Sequence, residues 1–195
     1  MLVQTSFRET RQGTVVMNNA QSSGEPGERL LVAIDDSDAA YRALAYVGRI
    51  VGARPGFHVL VYHRLPELPP RLREHGGSSD PERETELGRE LGSLIAEWVS
   101  SLEARFEPIR RRSHTALIEA GVPDPAIELL LDRDVFPGES LCAALIRVAR
   151  QRGCRTIAVS REHMPAAESV DELLRRHTGD RLVRTGEGFA VWVIE

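Results

Sequence analysis

Polar residues follow directly on apolar runs of the sequence, where they could bind a ligand or carry chemistry. Asp35 and Ser37 follow the run Leu30–Ile34, Arg64 lies just past a second run, and Ser160 ends a third. Acidic residues after a strand can hold Mg²⁺ for phosphoryl transfer, whereas an arginine beside the start of a helix can hold an anion. The pattern predicts a site for an anionic ligand at the ends of the strands.

Some classes of chemistry are excluded by the basic residues of the chain. All 25 of its Lys and Arg residues are arginine, and the formal net charge is -4. Without lysine there is no Schiff-base nucleophile and no lysine of a phosphate-binding P-loop. The mildly acidic balance also argues against binding to nucleic acid.

The histidines and cysteines indicate no catalytic or metal site. None of the histidines has a Ser/His/Asp or HExxH-like spacing, so we expect a protein that is not an enzyme. Cys142 and Cys154 form no CxxC motif, which favours ordinary thiols in a reducing compartment and a cytoplasmic location. No signal-peptide pattern opens the sequence, and no apolar run approaches the roughly 18 residues of a membrane span.

Short apolar runs alternate with amphipathic segments along the chain. Residues 1–28 have a disordered composition, and a single folded domain is expected over 29–195. The first helix is predicted to begin after Ser37 as N-cap and to end at Gly52. Later helices are expected near 141–152 and over 169–184 with a break at Gly179. The five predicted strands are Leu30–Ile34, Phe57–Tyr62, Ala126–Leu131, Thr156–Val159 and Phe189–Ile194, a pattern typical of a doubly wound α/β sheet.

The segment between the second and third strands is unusually long. From Glu82 onward it carries an apolar stripe of helical spacing that includes Leu94 and Trp98. Pro108 is expected to break or kink this helix, with a second piece from about Ser113 to Glu119. Such a segment provides either extra core or a protein contact surface, and we expect Trp98 to belong to the core.

Taken together, these segments resemble a domain of the universal stress protein family over roughly residues 30–195. The resemblance is carried by LLVAIDDSDAAYRALAYVGRIVGA, FHVLVYHRLPELPP, GESLCAALIRVARQRGCRTIAVS and AVWVIE. It implies a three-layer sandwich with a parallel sheet of order 3-2-1-4-5, of the adenine nucleotide α-hydrolase-like type. It also implies a regulatory or protein-interaction role in stress response, an unidentified protein partner, and a homodimer formed through the last strand.

The resemblance also implies where a nucleotide would bind. ATP-binding members carry a glycine, two residues, a second glycine, nine residues, and a third glycine with Ser or Thr after the fourth strand. Here Ser160 and His163 replace the first two glycines and Leu173 the third, and Asp180 follows the nearest later glycine. Nucleotide binding is therefore expected to be lost or altered, and no cofactor is expected, with ATP or another adenine nucleotide left open. The candidate nucleotide-binding residues are Asp35, Ser37, Arg64, Val159, Ser160, His163 and Gly179.

A degenerate receiver-type signalling domain is the alternative interpretation. The acidic residues after the first strand, Asp132 or Asp134 after the third, and Ser160 after the fourth imitate its phosphoacceptor chemistry. Against it, the lysine that a receiver needs after its fifth strand is missing. A strand order of 2-1-3-4-5 would favour this alternative.

Overall fold

A five-stranded parallel sheet forms the centre of the computed structural model, which describes residues 27–52, 54–73, 78–136, 138–161 and 178–195. The strand order is 3-2-1-4-5, as predicted, and it does not support the receiver-type alternative. The strands are β1 (Glu28–Ala33), β2 (Phe57–Arg64), β3 (Ile127–Asp132), β4 (Cys154–Ser160) and β5 (Ala190–Ile194).

Helices cover both faces of this sheet and complete the predicted three layers. They are α1 (Asp38–Val51), α2 (Pro81–Glu119), α3 (Leu141–Gln151) and α4 (Thr178–Thr185). Residues of α1 and α2 share one buried cluster with the sheet, and residues of α3 and α4 share the other. No helix within the described ranges combines the length and apolarity that a membrane crossing needs.

The central strand β1 supplies both layers of the core. Leu30 and Val32 belong to the cluster beneath α1 and α2, whereas Leu31 belongs to the cluster beneath α3, and all three are at most 2% exposed. This burial on both faces explains why the run is apolar without alternation. β1 begins at Glu28, two residues before the start of the predicted strand Leu30–Ile34. The predicted disorder of the preceding tail lies outside the described residues.

Helix α1 begins and ends as the sequence predicts, but Gly52 does not end it in the left-handed conformation that is usual for a glycine after a helix. Ser37 caps the helix, as predicted, and its Oγ accepts a hydrogen bond from the Ala40 amide at 3.2 Å. Gly52 follows the helix but has a right-handed φ of -60°, so no left-handed turn requires glycine there. A Cβ atom on Gly52 would lie 2.6 Å from the Ala120 carbonyl oxygen and 2.8 Å from the Gly121 carbonyl carbon. Glycine is therefore needed because the ends of α1 and α2 touch.

Of the two alternatives predicted for Pro108, a break or a kink, the break into two helical pieces is wrong. The helix α2 runs without interruption over 39 residues with Pro108 inside it. Because proline has no backbone N–H, the carbonyl of Ala104, four residues earlier, loses its usual helical donor. Pro108 and Ala104 are both exposed, so water can hydrogen-bond to that carbonyl and the proline ring projects into solvent. Residues before and after the proline are buried against the domain, which stabilises both parts of the helix: Phe106, Ile109, Ser113 and Leu117.

The helix α2 extends well beyond the sheet. At 1.5 Å per residue it is roughly 58 Å long, whereas the eight residues of β2 span about 26 Å. Its middle packs on a third, smaller apolar cluster formed by Leu65, Leu68 and Val135. Trp98 is half-buried against this cluster, which agrees with the expectation that it belongs to the core.

Candidate functional site

The carboxyl ends of β1, β2 and β4 bring most of the predicted ligand residues to one edge of the sheet. At the end of β1, Asp35 Oδ1 accepts hydrogen bonds from the backbone amide of Ser37, at 2.9 Å, and from its hydroxyl. The neighbouring Asp36 accepts a 3.1 Å hydrogen bond from the hydroxyl of Tyr41. Both carboxylates therefore stabilise the start of α1, and one oxygen of Asp35 is already engaged.

His63 in β2 lies between the end of β1 and the long helix. Its Nδ1 is 3.0 Å from the Ile34 carbonyl oxygen, and its ring stacks on Phe106 with 5.0 Å between ring centroids. Burial lowers the pKa of His63, although Asp35 and Asp36 act in the opposite direction. The neutral ring donates its Nδ1 hydrogen to Ile34, so His63 fixes the spacing between β1 and β2.

On the α3 side of the same edge, four side chains form a polar cluster. The Tyr62 hydroxyl donates to Asp132 Oδ2 at 2.5 Å, and Arg147 Nη2 lies 3.4 Å from the same oxygen. Arg147 also binds Glu139 through three hydrogen bonds of 2.8, 2.9 and 3.2 Å, and this pairing raises the pKa of Arg147. The cluster ties the ends of β2 and β3 to the beginning of α3.

Arg64 reaches into this region from the last position of β2. Its Nη1 donates to the Glu139 carbonyl oxygen at 2.8 Å. Its Nη2 is buried and has no hydrogen-bond partner among the described residues. Arg64 thus anchors the end of β2 to the loop before α3.

The polar cluster gives an expected result for stability at alkaline pH. Burial, and next the bond to Asp132, raise the pKa of Tyr62 well above its ordinary value of about 10. Above that pH the unfolded chain loses the proton while the folded protein keeps it, so the stability present below pH 10 falls as the pH rises. Tyr62→Phe should make this decline shallower, measured as urea unfolding free energy from pH 9 to 12. Tyr46→Phe, which removes a hydroxyl from an exposed ring, is the control, and equal slopes for wild type and Tyr62→Phe would contradict the assignment.

The predicted residues at the end of β4 have structural surroundings. The Val159 side chain is 4% exposed and lies in the core, so only its backbone is left for a ligand. Ser160 is the last residue of β4 and is paired in register with Ile194. A Cβ atom on Gly179 would lie 3.0 Å from Val193 Cγ2, so this glycine lets α4 approach β5. Gly179 is the second residue of α4, whereas His163 and the predicted helix from residue 169 to 177 lie outside the described residues.

The described residues contain no group of three or more His, Cys, Asp or Glu side chains that could hold a metal ion. The edge instead offers one partly engaged carboxylate, Asp35, and one partly engaged guanidinium, Arg64. A carboxylate can accept hydrogen bonds from a hydroxyl, and a guanidinium can bind an anion. These two groups suit a small polar ligand by their chemistry, although the free Nη2 of Arg64 is buried.

No family model and no curated protein matches this chain. Among solved structures, it is similar to a universal stress protein crystallised in complex with cAMP. The two are 14% identical, the match covers 87% of this chain and 98% of the other, and the TM-score is 0.55. The chain has the universal stress protein fold.

Two further structures with universal stress protein names match over similar lengths. One is the universal stress protein from Archaeoglobus fulgidus in complex with dAMP, at 16% identity, 87% and 99% coverage and a TM-score of 0.47. The other is a protein from the universal stress protein family from Burkholderia pseudomallei, at 19% identity, 88% and 98% coverage and a TM-score of 0.45. The fold assignment rests on the first of these structures, and the ligand and partner of the chain are matters of proposal.

The polar cluster around Tyr62 is the part of this edge that sequence reasoning missed. Tyr62 and Asp132 are 70 residues apart, and Asp132 was considered only as a phosphoacceptor of the receiver alternative. A signal was available, because the predicted order places the second and third strands side by side. Their ends, each with a polar residue, must then meet.

Proposed function

We propose that this protein is a non-catalytic, cytoplasmic regulatory domain of the universal stress protein type, which acts in stress response by binding a protein partner. The observation that carries this proposal is the apolar stripe of α2, in which the 52% exposed Leu94 lies in line with the half-buried Leu91 and Trp98. Contiguous apolar surface that stays accessible is typical of contact sites. The two buried free cysteines support the reducing location.

Photo-crosslinking tests whether α2 contacts a protein. A benzophenone amino acid at position 94 is expected to give a protein adduct in the native cells. The same group at position 118, where Ile118 is 41% exposed in the packed half of α2, is the matched control and should give none. Absence of an adduct at 94, or equal adducts at both positions, would contradict a partner-binding role for this helix.

We also propose that ATP does not bind here in the manner of the family. Three features support this. Arg64 is anchored to Glu139 where an apolar residue would line adenine. Gly179 packs against Val193, and Ser160 replaces the first glycine of the phosphate loop. Fewer backbone amides are then available to surround a phosphate chain.

An altered mode of adenine nucleotide binding is the second candidate. It is favoured by the fold similarity to a universal stress protein crystallised with cAMP and by Asp35 at the matching edge of the sheet. Mass spectrometry of the protein purified without added ligand distinguishes the candidates. Stoichiometric co-purified ATP, ADP or AMP would favour this second candidate. Protein free of nucleotide would favour a regulatory domain that does not bind ATP.

A homodimer through β5 is a further part of the proposal. Because β5 is an edge strand and no described residue pairs with its outer side, its backbone is open to pairing, and Val193 is 41% exposed. Pairing with the same strand of a second copy across a two-fold axis would cover this edge.

The dimer leads to an expected result in light scattering. Wild-type protein at ~50 µM should be dimeric, since weak dimers dissociate in the micromolar range. Val191→Lys with Val193→Lys should shift it toward monomer or aggregate. Because Val193 also packs beside Gly179, circular dichroism must show that the variant is folded, and Val193→Lys alone serves as the milder change. A stable wild-type monomer at this concentration would contradict the dimer.

A further inference from the structure

The first part of α2, residues 81–94, projects from the domain as an arm. Going back along α2, Ile95 is the last residue that packs on the small cluster of Leu65, Leu68 and Val135. From Ile95 onward, one side of α2 packs on the domain, and Gly88 and Gly92 lie on that same side of the helix. A Cβ atom at either glycine would nevertheless have no neighbour within 4 Å. No buried apolar cluster of the described residues includes a side chain of this arm.

The arm carries an apolar stripe with the spacing of a helix-pairing seam. Leu87, Leu91, Leu94 and Trp98 are separated by four, three and four residues. This is the spacing that places side chains in one line for contact with another helix. Trp98 is held at the domain end of the stripe, and Leu94 in its middle is 52% exposed. The stripe is thus anchored to the domain at Trp98 and at least partly exposed along the arm.

An acidic border runs along one side of this stripe. At 100° per residue, Glu86, Glu90 and Glu97 lie on the same flank, away from the domain, and all three are exposed. Glu86 is paired with Arg83 at 2.6 Å, but no described residue forms an ion pair with Glu90 or Glu97. Two carboxylates with no ion-pair partner among the described residues therefore border a stripe in which Leu94 is exposed and Leu87 and Leu91 are half-buried.

We propose that the arm binds an amphipathic helix of a protein partner whose apolar stripe is bordered by arginine or lysine. This proposal rests on the proposed function and specifies the partner's chemistry. The partner's apolar residues would cover the stripe of Leu87, Leu91 and Leu94, and its basic residues would pair with Glu90 and Glu97. In coiled coils, charges at these bordering positions select the partner.

A second copy of the chain fits this surface less well. In an antiparallel pair of arms, the acidic borders would face each other, and like charges in register oppose association. In a parallel pair, Glu90 and Glu97 would face the partner's Ile95 and Leu102, which offer no charge. The unpaired carboxylates thus select a basic helix over self-pairing.

Fluorescence anisotropy with two synthetic peptides tests the proposal on the full chain. Both are 21-residue helices with leucine at the heptad contact positions, and the bordering positions are arginine in one and glutamate in the other. Wild-type protein should bind the arginine peptide at least 10-fold more tightly than the glutamate peptide. Glu90→Arg with Glu97→Arg should reverse that preference, whereas Glu119→Arg, an exposed site at the far end of α2, should preserve it.

The apolar part of the contact is tested in the same assay. Leu94→Ser should weaken arginine-peptide binding about 10-fold, and the control Ile118→Ser should leave it unchanged. Equal affinity for the two peptides, no binding of either, or a wild-type dimer that Leu94→Ser dissociates would overturn the proposal. An adduct at position 94 together with failure of the peptide assay would retain the regulatory function and reject the basic helix.

Discussion

Leu117→Ala is expected to lower the unfolding free energy by about 3 kcal/mol, the largest effect of any single truncation in α2. Leu117 is fully buried in the cluster shared by α1, α2 and the sheet. Its Cδ2 lies 3.3 Å from the place where a Cβ on Gly48 would be, so the two helices leave little room to fill the resulting cavity. Urea denaturation at neutral pH provides the measurement.

The adjacent residue is a matched control for this truncation. Ile118 is 41% exposed, and Ile118→Ala should change the unfolding free energy by only about 0.5 kcal/mol. Comparable losses for Leu117→Ala and Ile118→Ala would mean that the second half of α2 does not pack on α1. Leu94→Ala on the arm should behave like Ile118→Ala, because it has no partner in the buried clusters.

Gly52→Ala should destabilise the protein by about 3 kcal/mol, near the upper end of typical overpacking. The new Cβ would meet three backbone atoms, two carbonyl oxygens and a carbonyl carbon, all within 2.8 Å. Backbone atoms cannot rotate away as a side chain can, so α1 and α2 would have to separate. Thermal or urea unfolding measures the loss.

A glycine of the arm gives the opposite expectation. Gly88 lies inside α2 with open space around it, so Gly88→Ala should stabilise the protein by about 0.5 to 1 kcal/mol through helix propensity alone. A gain at Gly88 with a loss at Gly52 separates close packing from a general effect of glycine replacement. A gain at both positions would contradict the contact between the ends of α1 and α2.

Local patterns in the sequence predicted the elements that depend on local interactions. The Ser37 cap and the buried run of β1 agree with the structure. The strand order also agrees, but it was implied by the family resemblance and not by local patterns. The break at Pro108 was wrong because α2 packs on the domain through buried residues both before and after an exposed proline. Tertiary packing outweighed the local tendency of proline to end a helix. Such packing cannot be predicted from the residues next to the proline in the sequence.

Most contacts of the candidate site join residues that are far apart in the sequence, so local patterns did not predict them. Asp35 and Ser37 are two residues apart, and their placement beside each other followed from the end of β1. The anchoring of Arg64 to Glu139 joins residues 75 positions apart, and it requires the start of α3 to lie over the end of β2. Likewise, Gly179 packs against Val193 because α4 lies on β5. The spacing of glycines after the fourth strand did not indicate this contact.

Titration calorimetry with Mg-ATP tests most directly whether this edge of the sheet has lost the family's mode of ligand binding. With tens of micromolar protein, we expect no heat of binding, or only weak binding, because Arg64 and Gly179 are engaged within the fold. Binding at micromolar affinity or tighter would contradict the account, and would mean that residues beyond Ser160 form a phosphate site without the family's glycines.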